Sequence, residues 1–244
     1  MDNTLDDSEF YEDFWRDAGY QYAYAMDSAV RDRFPAIEKV WGGLRRPHRV
    51  LDFGCGNGVL SYWMYQNSFA YKVLGVDVSK TGVRNAHREF AQPGLDYRVI
   101  TSPMNVRQLG EFDAVVSSHV LEHIPDVDEA LASLKGVAKW YVFEVPLEDC
   151  LFQTLKWSLL NKPRRENSLG HVQFWTRESF RNLLASHGYV VIRDYIYASA
   201  PFSPYNNKWV RMAEKLLLRS AGLNIYSKIM ATHYIVLASE NPWQ

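Results

Sequence analysis

An aspartate closing an apolar run, then alternating glycines, then a second acid at a fixed distance is the combination in this chain that most directly implies chemistry. The segment reads Val50-Leu51-Asp52-Phe53-Gly54-Cys55-Gly56-Asn57-Gly58. Glycines at alternate positions let the backbone press against a ligand, and their chain entropy is a cost that a bare turn does not explain. Asp77 stands 21 positions after Gly56, about one helix plus one strand. That distance puts its carboxylate at the tip of the adjoining parallel strand, where ribose hydroxyls can donate to it. Val78 is expected beside the same ligand. Together these residues predict a site for an adenosine-containing cofactor; the alternatives are a ligand-free strand-to-helix turn and a capping acid beside Ser79.

Spacing separates the cofactors that could use such a site. A dinucleotide fingerprint G-x-G-x-x-G read from Gly54 needs glycine where Val59 stands, and read from Gly56 it needs glycine where Ser61 stands. The pattern present, D-x-G-x-G-x-G, resembles the first motif of the class I S-adenosylmethionine-dependent methyltransferases. The run Phe112-Asp113-Ala114-Val115-Val116-Ser117-Ser118-His119-Val120-Leu121-Glu122-His123-Ile124 is similar to the fourth motif of that family in its small-molecule members. The resemblance is strong over residues 49–146 and moderate over 170–193. It implies S-adenosylmethionine as cofactor and S-adenosylhomocysteine as product, with Gly54, Gly56 and Gly58 along the methionine part. It further implies that Asp52 supports the turn, that Asp77 binds the ribose, and that Ser118 lies near the donor. Relatives place an acid after the third strand to accept from the adenine amino group. Here Ser102, a weaker acceptor kept as a candidate contact, and Pro103, which has no N–H, hold those positions, so adenine recognition is expected to shift to the Met104 N–H or Asn105.

Methyl transfer from a sulfonium is an in-line displacement, so alignment of acceptor and methyl carbon dominates, a contribution that reaches about 7–11 kcal/mol in well-oriented systems. An oxygen or nitrogen acceptor must also lose a proton. His119, just past an apolar strand, is the first candidate base. Glu144, in a Glu144-Val145-Pro146 sequence that resembles the family's E-x-P, is a second candidate to face the acceptor. His171, ahead of Val172-Gln173-Phe174-Trp175-Thr176, matches a histidine found ahead of the sixth-strand helix in many relatives and is a candidate to close the substrate pocket; a surface or capping histidine is the alternative. Asp113, Glu122 and His123 are expected to be structural. Cys55 and Cys150 have no metal-ligand spacing and read as free thiols of a reducing cytosol, so no metal site is predicted.

The elements that must carry these residues follow from periodicity. Strands are expected at 49–53, 71–76, 97–100, 112–117 and 140–145, with helices at 59–67, at 80–90 behind a Ser79 cap, and after Asp126. Alternating strands and helices force parallel pairing through right-handed crossovers. The prediction is a doubly wound, Rossmann-like α/β sheet with helices on both faces; by resemblance it has seven strands, the last antiparallel. A helix over 179–187 capped by Thr176, a strand at 189–197 and a last strand at 232–238 complete it. Ser28 is expected to cap a helix running to Trp41. Phe10, Tyr11, Phe14 and Trp15 read as apolar anchors of an acidic flap, and Tyr20, Tyr22 and Tyr24 fit either an edge strand or a helical start.

The predicted organisation is one methyltransferase domain over 1–244: a helical cap at 1–42, a cofactor-binding core at 43–146, and lid-like insertions at 147–170 and 201–230 that form a substrate cover. Both insertions mix Leu, Phe and Trp with Lys and Arg, including Lys162 and Arg165. That mixture suits an anionic, glycosyl or lipid-linked acceptor or peripheral contact with a membrane, as well as an ordinary solvated lid. With 27 basic and 28 acidic residues, the formal charge of −1 gives no reason to expect nucleic acid. No signal-like N-terminus and no run near the ~18 apolar residues of a membrane span is present, which predicts a cytoplasmic protein. A small-molecule methyltransferase with an O-acceptor favoured over N is the leading expectation. A methyltransferase of RNA or protein and a non-catalytic cofactor-binding module are the alternatives.

Overall fold

In the computed structural model, residues 12, 14–16, 18–161, 163, 164, 167 and 169–240 are described. Phe10, Tyr11, Lys162 and Arg165 lie outside them. Seven strands form one sheet: β1 (Arg49–Phe53), β2 (Lys72–Asp77), β3 (Leu95–Val99), β4 (Phe112–Ser118), β5 (Ala138–Leu147), β6 (Val190–Tyr197) and β7 (Thr232–Ser239). Their order is β3-β2-β1-β4-β5-β7-β6, and β7 runs antiparallel to both its neighbours. The order reverses between β1 and β4, so a crevice opens at the carboxyl ends of those strands. Register brings Asp52 beside Gly75 on one side and Val116 on the other.

Central strands are apolar on both faces because helices cover both. On one side Trp41, Met64 and Phe69 pack with Val50, Val73 and Val116. On the other, Val115 and Phe143 pack with Leu131, Phe180 and Tyr189. Each such side chain contributes roughly 1.5–3 kcal/mol when fully buried.

The helices begin where short polar side chains can take an orphaned backbone N–H, each such cap contributing about 1 kcal/mol. α1 (Ala18–Ser28) and α2 (Phe34–Trp41) precede β1; α3 (Val59–Gln66), α4 (Lys80–Phe90) and α5 (Val127–Leu134) lie among the parallel strands; α6 (Leu151–Leu160), α7 (Arg177–Ser186) and α8 (Lys208–Ile229) follow. Ser79 accepts from Gly82 N at 3.0 Å, Asp126 from Glu129 N at 2.8 Å, and Thr176 from Ser179 N at 3.1 Å. Ser79 and Thr176 are the caps expected from sequence, and the helix at Asp126 begins where the sequence sets it.

Ser28 is different. It has helical φ/ψ of −65° and −41° and makes no side-chain cap, because α1 continues through a π-helical turn, Ala29–Arg33, into α2. Pro35 stands in the first turn of α2, immediately after that wide turn. The tyrosines before it therefore belong to a helix and not to an edge strand. Residues 147–170 and 201–230 carry α6 and α8, and α8 is interrupted at Gly222, whose φ of 74° and ψ of 165° are not helical.

Candidate functional site

The glycine turn hangs from β2 by two bonds, Gly54 N and Cys55 N both donating to Val76 O at 2.8 and 2.9 Å. Gly54 has φ of +78°, and a Cβ there would lie 2.2 Å from Val120 Cγ2, so neither the conformation nor the space admits another residue. Gly56, at φ of +53°, lies under the Trp15 indole, whose ring would be 2.4 Å from an added Cβ. The acids are built into this turn. Asp77 Oδ2 accepts from Gly56 N at 2.8 Å and Oδ1 from Ser79 N at 2.9 Å. Burial pushes the Asp77 carboxyl up, and those same N–H groups oppose the rise. Asp52 accepts from Ser61 Oγ at 2.5 Å, and burial pushes its carboxyl up to about 6.

The turn opens into a cleft of about 530 Å³. Phe53, Gly54, Gly56, Asp77 and Val78 line one half, with Ile100 and Pro103 beyond them and Phe14 and Trp15 over the top. The other half is lined by imidazoles and carboxylates from three strand ends.

His119, the first residue after β4, has a left-handed φ of 57°, unusual outside glycine and held here by its N–H on Glu144 O at 3.0 Å. This conformation places its ring between Glu122 Oε1, 3.0 Å from Nδ1, and His233 Nδ1, 3.0 Å from Nε2. Glu122 is fully buried, and its backbone carbonyl takes the N–H groups of Val172 and Gln173 at 2.8 and 3.0 Å. Burial would raise its carboxyl, yet the bond from His119 and the neighbouring His123 and His171 hold it at about 2. Its Oε2 has no hydrogen-bond partner among the described residues. Burial, then the facing His119, keep the His233 imidazole well below its ordinary value, so it is neutral at pH 7. His171 Nδ1 lies 2.7 Å from Glu148 Oε2; burial lowers this imidazole, but Glu148 raises it further.

Residues 14–194 match the family model described as a methyltransferase domain. The chain belongs to the methyltransferase-domain family. Its sheet is the Rossmann-like, class I arrangement expected from the sequence motifs. Over 110 residues this methyltransferase-domain chain is 34% identical to a ubiquinone biosynthesis O-methyltransferase of Brucella anthropi, a match covering 44% of this chain and 42% of that protein. The chain thus matches less than half the length of that curated relative. Among solved structures, a SAM-dependent methyltransferase from Anabaena variabilis superposes with a TM-score of 0.64 at 15% identity, over 96% of this chain and 95% of that one. Magnesium protoporphyrin IX methyltransferase from Synechocystis, solved with bound SAH, superposes with a TM-score of 0.59 at 17% identity, over 97% of this chain and all (100%) of that one. At those identities the likeness is one of fold.

The structure brings Asp52, Gly54, Gly56, Asp77, Val78, Ser118, His119 and His171 to one cleft. Gly58 stands behind it, its carbonyl accepting from Tyr97 OH at 3.1 Å. Ser102 and Met104 are not among the lining residues: Ser102 Oγ accepts from Met104 N at 3.2 Å, and Asn105 Oδ1 takes the N–H groups of Thr101 and Ser102. The groups expected to meet adenine are thereby engaged in capping their own 3-10 turn. Glu144 is wholly buried and does not line the cleft; Ser118 Oγ donates to its Oε2 at 2.6 Å and Tyr197 OH to its Oε1.

Sequence reading missed His233 and assigned Glu122 to a turn alone. The signal for His233 was present: an antiparallel last strand starting at Thr232 begins where the parallel strands end, and register sets His233 between Pro146 and Tyr197. Two groups, His119 with Glu144 and His233, and Glu122 with His123 and His171, hold ligand-type atoms within 4.8 Å of one another. The sequence, read for cysteine spacing, gave no sign of either.

Proposed function

We propose that this protein transfers the methyl group of S-adenosylmethionine to a hydroxyl oxygen of a small molecule. When bound, that cofactor supplies a methyl already activated on a sulfonium. Asp77 would receive the ribose hydroxyls, since each carboxylate oxygen that accepts one backbone N–H keeps a second lone pair. Gly54 and Gly56 would admit the methionine part, Asp52 would brace their turn, and Val78, Ile100 and Pro103 would flank the adenine.

One observation carries the choice of a hydroxyl acceptor: the linked Glu122, His119 and His233 side chains at the carboxyl end of β4. Glu122, ionised at neutral pH, accepts from His119 Nδ1–H and so leaves Nε2 as the basic nitrogen. His119 Nε2 would take the proton of an acceptor hydroxyl as its oxygen replaces the sulfonium sulfur on the methyl carbon, and Glu122 would stabilise the imidazolium formed. That nitrogen has one lone pair, to which neutral His233 donates its Nδ1–H, so an acceptor hydroxyl would take the place of His233 there. Glu144 positions Ser118 and Tyr197, and the His171–Glu148 pair borders the acceptor. The name of the Brucella anthropi relative supports an oxygen acceptor and does not identify it.

Release of S-adenosylhomocysteine with a panel of phenolic and aliphatic hydroxyl compounds tests the reading. His119→Ala should retain binding of S-adenosylhomocysteine and lose about 10²–10⁴-fold in turnover; unchanged turnover would remove the base.

A second reading is favoured by the unpartnered Glu122 Oε2. Beside it, His123 Nδ1 lies 3.3 Å from Gly170 O and His171 Nδ1 is held by Glu148, the outer contacts that orient imidazoles toward a metal. A divalent cation on Glu122, His123 and His171 would acidify the hydroxyl directly. Dialysis against a chelator decides: full turnover afterwards supports the base, and loss restored by added metal supports the cation.

A further inference from the structure

Among the described residues, most of the exposed large apolar side chains lie in 147–170 and 201–230. α6 has no buried residue, and Leu151, Phe152, Leu155, Leu159 and Leu160 are all exposed, Leu159 at 85%. On α8, Trp209 is 71% and Leu216 69% exposed, with Val210, Met212 and Ile225 also in solvent. The two helices touch. Isolated exposed leucines are ordinary, but this many exposed apolar side chains on two touching helices point to a binding surface.

Charge says what the surface binds. α6 and α8 carry Lys156, Lys208, Arg211, Lys215, Arg219 and Lys228, while their single acid, Glu214, is only 8% exposed. Lys156 and Lys208 lie over the rings of their neighbours Trp157 and Trp209, 5.0 and 5.8 Å from the centroids. Cations flanking exposed Trp, Leu and Phe are the composition of helices that lie in an anionic bilayer interface, the apolar groups entering the acyl boundary and the cations meeting phosphate. No described helix is long and apolar enough to cross a membrane, so the contact would be one of lying on it.

Position gives the contact a use. α6 leaves the sheet after Glu148 and the chain returns at Leu169 and His171; α8 lies between Ala200 and Ala231; all of these flanking residues line the cleft. We infer that α6 and α8 form one docking surface for an anionic phospholipid bilayer, which holds the mouth of the cleft at the membrane. The break at Gly222 lets the two halves of α8 follow such a surface separately. This goes beyond methyl transfer and is measured without it.

The test is cosedimentation of the full chain with vesicles of phosphatidylcholine alone and of phosphatidylcholine with 30% phosphatidylserine. Binding is expected to the mixed vesicles, at least tenfold weaker to the neutral ones, and weaker again as salt rises. Lys208→Glu with Lys215→Glu, and separately Leu159→Ser with Trp209→Ser, should each reduce binding at least tenfold with melting temperature unchanged. The substituted side chains are exposed, so folding is not at issue; the melt verifies it. Equal binding to both vesicles, no binding to either, or a surface that drives only concentration-dependent dimers in sedimentation would overturn the inference.

Discussion

Glu122→Gln isolates the charge on which the proposed base depends. The substitution keeps the shape of a side chain with no exposed surface and leaves the backbone bonds from Val172 and Gln173 in place. In the native protein the carboxyl sits at about 2, below its usual 4.5. A depressed carboxyl contributes stability above its unfolded pKa and loses it as pH falls toward the folded one. At about 1.4 kcal/mol for each tenfold step, the ionised form is favoured by about 3 kcal/mol. Urea denaturation at pH 5.5, above the pKa of the unfolded carboxyl, should show the variant less stable by up to that amount. Between pH 4.5 and 3.5 the difference should shrink by about 1 kcal/mol. The carbonyl oxygen of Gln still accepts from His119 Nδ1, so turnover should fall through loss of charge while S-adenosylhomocysteine binding persists. A difference below 1 kcal/mol at pH 5.5, or one that widens as pH falls, would refute the ionised Glu122 and the tautomer assigned to His119.

Other expectations follow from the same geometry. Asp77→Ala should weaken S-adenosylhomocysteine about ten- to hundredfold, the size of one charged hydrogen bond, and remove most of its thermal stabilisation, read by melting with and without ligand. NAD should give no stabilisation in either protein. Gly54→Ala should destabilise the fold by about 1–3 kcal/mol in urea because its methyl meets Val120, and Val120→Ala should recover part of the loss. His233→Phe should preserve ligand binding, lower kcat more than it changes KM, and shift the pH profile of turnover, because it removes the partner of His119 Nε2.

The parts of the fold fixed by local chemistry were legible in the chain. Ser79, Asp126 and Thr176 cap the helices they precede, and the apolar runs at Arg49–Phe53 and Phe112–Ser118 are strands because only a sheet covered on both faces buries them. Asp77 reached the glycine turn because one helix and one strand span a fixed distance. What was not legible depends on contacts between distant segments. Ser28 has the right type for a cap, but the packed helix continues through it by a π turn. Glu122 looked like part of a turn, since nothing nearby in sequence shows that His171 and His233 arrive from other elements. Ser102 and Met104 were assigned to adenine by position, whereas the 3-10 turn they open uses their polar groups internally.

In the proposed function the glycine turn and Asp77 form the donor site, and His119 faces the methyl. A crystal structure of the protein with S-adenosylhomocysteine tests it most directly. It should place the ribose hydroxyls on the Asp77 carboxylate, the methionine part along Gly54 and Gly56, and the sulfur toward His119. Ligand density elsewhere, or a sulfur turned away from the Glu122–His119–His233 chain, would contradict it.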